Sequence, residues 1–373
     1  MDSVAERSRL DNAQKAARDV GVDALLVTPG PDLLYLTSYH AIALERLTCL
    51  VVPANGEPVL VAPNLEVPAA QASSVGRLGV PIRGWGETEN PYALVHKLTS
   101  GAKTVALSDS MPAAAVLRLR EAMPHVHQQL AGPVLRELRM IKSPAEIQHL
   151  RHAGRAIDRV HEQVPDLLRP GRTEREVGED IAEAILEAGH VSVDFVIVAS
   201  GPNGASPHHE LSDRRIEVGD AVVVDIGGTM PNGYCSDSTR TYAVGFAPDD
   251  FLTYYRVLED AQRRAVESIR PGVTAESVDA AARSVIAEAG YGEHFIHRTG
   301  HGIGLETHEE PYIVEGNTEI LSEGMAFSVE PGIYLPGQHG ARIEDIVVVT
   351  AGGVESLNNT PHELVVVDPA FSG

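Results

Sequence analysis

The chain has 373 residues, enough for two domains with separate cores, and its 43% hydrophobic and 22% charged content is ordinary for a folded globular protein. A net charge of −22 argues against a nucleic acid or an anionic membrane surface as partner. Only two cysteines occur, Cys49 and Cys235, so no disulfide framework is implied, and no apolar run reaches the roughly 18 residues that a membrane span needs.

Residues Met1–Arg7 lack the apolar core of a signal peptide, so a cytoplasmic protein is expected. Residues 1–130 read as a small α/β domain. Asp11–Val20 suits a helix and Asp23–Thr28 a strand. Asn55-Gly56 between the apolar runs Thr48–Val52 and Glu57–Val61 signals a hairpin. Lys103–Leu107 suits a further strand, and Ala113–Ala122 a further helix.

Residues 131–373 differ in texture. Ser143-Pro144-Ala145-Glu146 is a capping box with proline at the first helical position, and Thr173 with Glu176 repeats that logic. Helices are predicted near 143–167, 174–188, 252–269 and 275–289, with strands around 193–199, 221–226, 239–244, 325–330 and 344–349. Strands and helices without a regular βαβ rhythm favour an α+β fold.

Within this half, Asp225, Asp237, His301, Glu330 and Glu344 each sit at the edge of an apolar run or in a glycine-rich turn. Unpaired carboxylates beside buried strands carry a desolvation cost of several kcal/mol. No matching run of Lys or Arg is present, so divalent metal ions are the natural counter-charge. Each signal is weak alone, since an Asp before Ile-Gly-Gly is often only a strand entering a turn.

An internal repeat joins them. Arg169-Pro170-Gly171-Arg172-Thr173 is echoed by Arg270-Pro271-Gly272-Val273-Thr274, and Val218-Gly219-Asp220 through Asp225-Ile226-Gly227 by Glu323-Gly324-Met325 through Glu330-Pro331-Gly332. Asp237 falls opposite Glu344, while Ser200 takes the place of His301. Two such halves about a pseudo-twofold axis would gather the acids between them, with helices backing one curved antiparallel sheet.

Asp225-Ile226-Gly227-Gly228, Ser236-Asp237, Gly300-His301-Gly302-Ile303-Gly304, Glu330-Pro331-Gly332 and Arg342-Ile343-Glu344-Asp345 together resemble the pita-bread metallopeptidases, the fold of methionine aminopeptidase, aminopeptidase P and prolidase. Asp23–Tyr39 is similar to the creatinase/prolidase amino-terminal domain, and Leu138–Ile147 to that family's interdomain junction. The extra amino-terminal domain disfavours methionine aminopeptidase. The intact ligand set disfavours a metal-free creatinase-like amidinohydrolase or a non-catalytic binding protein of the same fold.

The resemblance implies two divalent ions (Mn, Co or Zn), bridged by Asp237 and Glu344, with Asp225 completing one site and His301 and Glu330 the other. Glu330 would move the proton, and His208 and His308 would hold the substrate. His209 beside His208 leaves that assignment open by one position. Arg342 lies on the face of Glu344, to order the site, to bind substrate or simply to form a structural ion pair. Cys235, near Asp237, is expected to be a small buried residue rather than a ligand.

The implied substrate is a small peptide with proline second: a dipeptide for a prolidase, a longer peptide for aminopeptidase P. Arg342 and Arg46 are candidates to meet a dipeptide's carboxylate. A homodimer is implied too, with the loop Thr37–Arg46, carrying His40, Glu45 and Arg46, brought towards the neighbour's site.

Overall fold

The computed structural model describes residues 3–369. It divides into two compact units that meet in sequence at Arg139 and Met140.

In the first unit, helices α1 (Ser3–Asp19), α2 (Pro31–Thr37), α3 (Val67–Ala72), α4 (Ser74–Arg77), α5 (Pro91–Leu98), α6 (Ala113–Ala122) and α7 (Gly132–Met140) accompany a six-stranded sheet. Its strands are β1 (Ala24–Val27), β2 (Cys49–Pro53), β3 (Val59–Pro63), β4 (Ile82–Trp85), β5 (Thr104–Leu107) and β6 (His127–Leu130), in the order β4-β3-β2-β1-β5-β6. The Asn55-Gly56 hairpin forms, pairing β2 with β3 antiparallel. The predicted helix over Ala113–Ala122 is α6 itself.

In the second unit, Ser143 and Glu146 exchange both capping hydrogen bonds and start α8 (Pro144–His161). A short turn, α9 (Val164–Leu167), follows, and then α10 (Glu174–Glu187), capped in the same way by Thr173 and Glu176. Strands β7 (Ser192–Ser200), β8 (Ala221–Thr229) and β9 (Cys235–Val244) form an antiparallel meander. The second half-unit opens with α11 (Asp249–Ser268) and α12 (Ala275–Glu288). It continues through β10 (Gly300–Gly302), β11 (Glu309–Ile313), β12 (Ala326–Val329), β13 (Gly332–Leu335), β14 (His339–Arg342), β15 (Asp345–Thr350), β16 (Gly353–Ser356) and β17 (Val365–Val367).

The repeat is geometric as well as sequential. Gly171 and Gly272 both adopt a left-handed conformation, with φ of 90° and 91°, as the turn after each Arg-Pro requires. Gly171 N donates to Ile216 O and Gly272 N to Leu321 O, at 2.8 and 2.9 Å. Each half has its own core. One gathers Ile157, Ile181, Val198, Val224 and Tyr242; the other gathers Tyr254, Leu258, Ala282, Phe327 and Val347.

The expected single curved sheet is instead two principal sheets, β17-β9-β8-β7 and β11-β10-β12-β15-β16, with β13-β14 as a separate hairpin. Among the described residues, the two sheets meet through the isolated bridge Thr239↔Glu344, and β17 adds to β9 in parallel. Glu344 belongs to the acidic cluster, and Thr239 Oγ1 donates to its Oε2 at 2.7 Å. The sheet therefore breaks where its polar contents must converge. No helix among the described residues is long and apolar enough to cross a membrane.

Candidate metal centre

Strand register builds the first half of the site. Asp225 on β8 pairs with Thr239 on β9, and Asp237 lies two residues before Thr239, so all three share one face of the sheet. In the second half, Val329 pairs with Asp345, which sets the next residues outward, Glu330 and Glu344, beside each other. His301 lies on β10, between β11 and β12. A Cβ at Gly300 would stand 1.8 Å from Ser328 O, and one at Gly302 2.1 Å from Glu310 O. Glycine on both sides of His301 is therefore a packing requirement.

These residues converge. Ligand atoms of Asp225, Asp237 and Glu344 lie within 4.8 Å of one another, as do those of His301, Glu330 and Glu344 and those of Asp237, His301 and His308. Glu344, Asp237 and His301 each belong to two groups, and for the two carboxylates that sharing is the property expected of bridging ligands. Asp225, Asp237, His301 and Glu344 are buried. Asp225 Oδ1 and Glu344 Oε1 are buried without any hydrogen-bond partner, although their second oxygens are engaged. Orphaned acceptors in a nest of four carboxylates fit a site for hard divalent cations.

The electrostatics agree. Burial, together with Glu344, Asp225 and Glu330, pushes the Asp237 carboxyl well above the usual carboxylate range. Burial with Glu330 and Asp225 does the same to Glu344. Burial would also raise Glu330, but the hydrogen bond and charge of His301, with His297 and Arg342, outweigh it and hold Glu330 at about 2. His301 Nδ1 donates to Gly302 O at 3.1 Å, which leaves Nε2 facing Glu330 Oε1 at 3.2 Å and Asp237 Oδ2 at 3.6 Å.

A stability prediction follows from these shifts. Acids whose folded pKa is raised contribute stability below their unfolded pKa, about 4, and that contribution is lost as pH rises towards the folded value. Glu330 acts oppositely, its contribution fading only as pH falls towards 2. The melting temperature of metal-depleted protein should therefore drop further below that of metal-loaded protein as pH rises above the ordinary carboxylate range of about 4. A gap that calorimetry finds constant across that rise would contradict the reading.

Arg342 is the cation inside the cluster. Its Nη2 pairs with Asp225 Oδ2 at 2.5 Å and reaches Pro207 O at 3.3 Å, Nη1 donates to Tyr334 OH at 2.7 Å, and Nε to Thr239 Oγ1 at 3.2 Å. All three nitrogens are committed to ordering the site. Arg46, in the first unit, pairs with Glu45 and Glu87 at 2.5 and 3.0 Å.

The acids and histidines line a cavity of about 1170 Å³, along with Phe195, Ile197, Leu211 and Ile296. His208 is exposed on this cavity, whereas His209 turns its Nε2 to Glu174 Oε2 at 2.7 Å. The His308 ring lies 4.0 Å from that of His301, edge to face. Burial, then the charges of His301 and Arg298, lower His308 to about 4, so its imidazole is neutral near pH 7. Cys235 is buried, its thiol pushed up to about 11 by burial, and is not among the metal-binding groupings.

His297 is a further histidine of the site that no sequence motif marks. It lines the cavity, its Nε2 2.8 Å from Tyr334 OH and its Nδ1 2.7 Å from Arg298 O, and burial holds it below the ordinary histidine pKa. The available signal was a second histidine four residues before His301 in the same turn. Tyr334, linking Arg342 to His297, carried no sequence signal at all.

Buried acids and a histidine on matched halves of a pita-bread fold define a metallopeptidase. The chain belongs to metallopeptidase family M24, whose model matches residues 148–351, and carries a creatinase/prolidase N-terminal domain over residues 9–141. It is similar to a probable dipeptidase PepE of Mycobacterium bovis, 56% identical over 367 residues covering 98% of each chain. It is also similar to an Xaa-Pro dipeptidase of Lactobacillus helveticus, 37% identical with 96% of this chain and 98% of the relative covered. The solved structure of dipeptidase PepE from Mycobacterium ulcerans superposes with a TM-score of 0.95 at 55% identity, covering 99% of both chains.

Proposed function

We propose that the protein hydrolyses the peptide bond preceding proline in Xaa-Pro dipeptides, with two divalent ions held by Asp225, Asp237, His301, Glu330 and Glu344. The observation that carries the proposal is the sharing of Asp237 and Glu344 between neighbouring ligand groups beside a cavity with free histidines. The resemblance to Xaa-Pro dipeptidases supports the choice of substrate. When bound, Mn, Co or Zn ions in such a site supply Lewis-acid chemistry, polarising a carbonyl and easing deprotonation of water.

The protein's own groups do the rest. Glu330, which accepts from Ser328 Oγ at 3.1 Å, takes the proton of the attacking water and passes it to the departing proline nitrogen. His308, neutral, donates to the carbonyl oxygen as it gains charge, and His208 holds the substrate from the facing loop. Arg342 keeps Asp225 and Tyr334 in place.

A dipeptide presents a carboxylate just past proline. Among the arginines lining the cavity, Arg342 is committed and Arg175 pairs with Asp213 at 3.0 Å. Arg298, stacked on Tyr312 at 4.4 Å, has no carboxylate partner among the described residues and is the group we assign to the substrate terminus. A hydrogen bond to a charged group contributes about 1.5–3 kcal/mol, so Arg298→Ala should lower kcat/KM for Ala-Pro by at least about tenfold and leave Ala-Pro amide little changed. Hydrolysis of Ala-Pro-Ala as fast as Ala-Pro would instead make the protein an aminopeptidase P.

The homodimer belongs to the same proposal. Residues 38–46 follow α2 with Ile42 and Leu44 exposed to 74% and 51%, apolar surface that a second copy would cover. Sedimentation should report a dimer, and a fully active monomer would refute it.

A further inference from the structure

Among the buried carboxylates outside the metal cluster, Glu174 and Asp279 each fasten a segment that lines the cavity. Glu174, the first residue of α10, has a side chain with 0% exposure. It accepts from Ser200 N and Oγ at 2.7 Å each, from Asn203 Nδ2 at 3.0 Å, from His209 Nε2 at 2.7 Å and from Ser212 Oγ at 2.5 Å. These bonds fasten both ends of the segment 200–212, which presents His208 to the cavity.

Asp279 on α12 is also buried. It accepts from Thr299 N and Oγ1 at 3.1 and 2.8 Å and from Arg283 at 2.8 and 2.9 Å. Arg283 in turn donates to Phe295 O at 3.2 Å and His297 O at 2.9 Å, and lies 4.2 Å from the Phe295 ring. His297 is thus gripped by its own carbonyl.

The two carboxylates correspond. At these helices the repeat offset is 101, whereas Asp279 follows Glu174 by 105, so the second acid is displaced by four residues, one helical turn on the same face. Each acid binds both the backbone N–H and the hydroxyl of a Ser or Thr at a strand end. A buried carboxylate is poor value for stability alone, since an apolar replacement is often as stable. Its use is to fix a geometry.

We infer that Glu174 and the Asp279–Arg283 pair are positioning residues, one per half of the repeat, that set His208 and His297 respectively against the substrate. This rests on the peptidase reading for its kinetic consequence only.

The experiment uses metal-loaded protein and the variants Glu174→Gln and Asp279→Asn, alone and combined with His208→Ala or His297→Ala. Hydrogen exchange should rise in 200–212 for Glu174→Gln and in 295–299 for Asp279→Asn, with the rest of the protein unchanged. On Ala-Pro, each single variant should lose at least about tenfold in kcat with KM and metal content preserved, the size of effect seen when a positioned group slips. Glu174→Gln should cost nothing further once His208 is alanine, yet its full loss should persist when His297 is alanine; Asp279→Asn should show the converse.

Equal losses in every background, or exchange rising throughout, would overturn the inference. Should Asp279→Asn fail to fold, Arg283→Lys keeps the ion pair while losing the fork to Phe295 O and His297 O, and carries the same expectation. A wild-type protein inactive on Xaa-Pro dipeptides would refute the proposed substrate, while the exchange pattern would still decide the positioning roles.

Discussion

Asp237→Asn is expected to abolish hydrolysis and to remove both metal ions together. Asp237 shares ligand groups with Asp225 and Glu344 on one side and with His301 and His308 on the other, so one substitution weakens both sites. An asparagine oxygen carries no charge, and its amide would turn a donor towards cations. Removing one buried anion relieves its repulsion with Glu344, Asp225 and Glu330, so the apoprotein should fold at least as well as the unmodified apoprotein. Metal analysis and calorimetry on one preparation separate the effects: lost metal with preserved folding is expected. Retention of a full metal complement by Asp237→Asn would refute its bridging role.

The second large effect concerns the cavity histidines. His308→Ala should reduce kcat by about 10²–10³, the usual cost of removing a donor to a developing oxyanion, and His208→Ala should also lower turnover strongly by loosening the substrate, both without loss of metal. His209 is the internal control for the assignment. Its Nε2 is taken up by Glu174, so His209→Ala should act less strongly than His208→Ala, through loop placement. A larger loss from His209→Ala than from His208→Ala, in steady-state kinetics with Ala-Pro, would move the substrate contact to the neighbouring residue.

Much of this site could be read in the sequence because its positions are constrained by the backbone as well as by chemistry. His301 needs glycine on both sides, Asp225 ends a valine run that can only be a buried strand, and the Arg-Pro-Gly turns recur with the same left-handed glycine. What escaped reading depends on partners far away in sequence. Asp237 lies inside β9 rather than before it, because its neighbours Ser236 and Ser238 are buried polar residues that break the apolar pattern of a strand.

Glu174 looks like one more acidic residue in a capped first turn. The cap is legible as Thr173 with Glu176, but only the folded loop shows that Glu174 is enclosed. His297 and Tyr334 meet through a hydrogen bond across 37 residues that no local pattern announces. The split of the sheet likewise follows from the single bridge between Thr239 and Glu344, a long-range contact.

Under the proposal, hydrolysis before proline depends on ions in this one cluster. The direct measurement is a titration of metal-depleted protein with Mn²⁺, in which bound metal per chain and turnover of Ala-Pro are followed in the same samples. Two ions should bind per chain, activity should return as they bind, and Asp237→Asn should regain neither. Full activity in protein stripped of metal, or two ions bound equally well by Asp237→Asn, would contradict it.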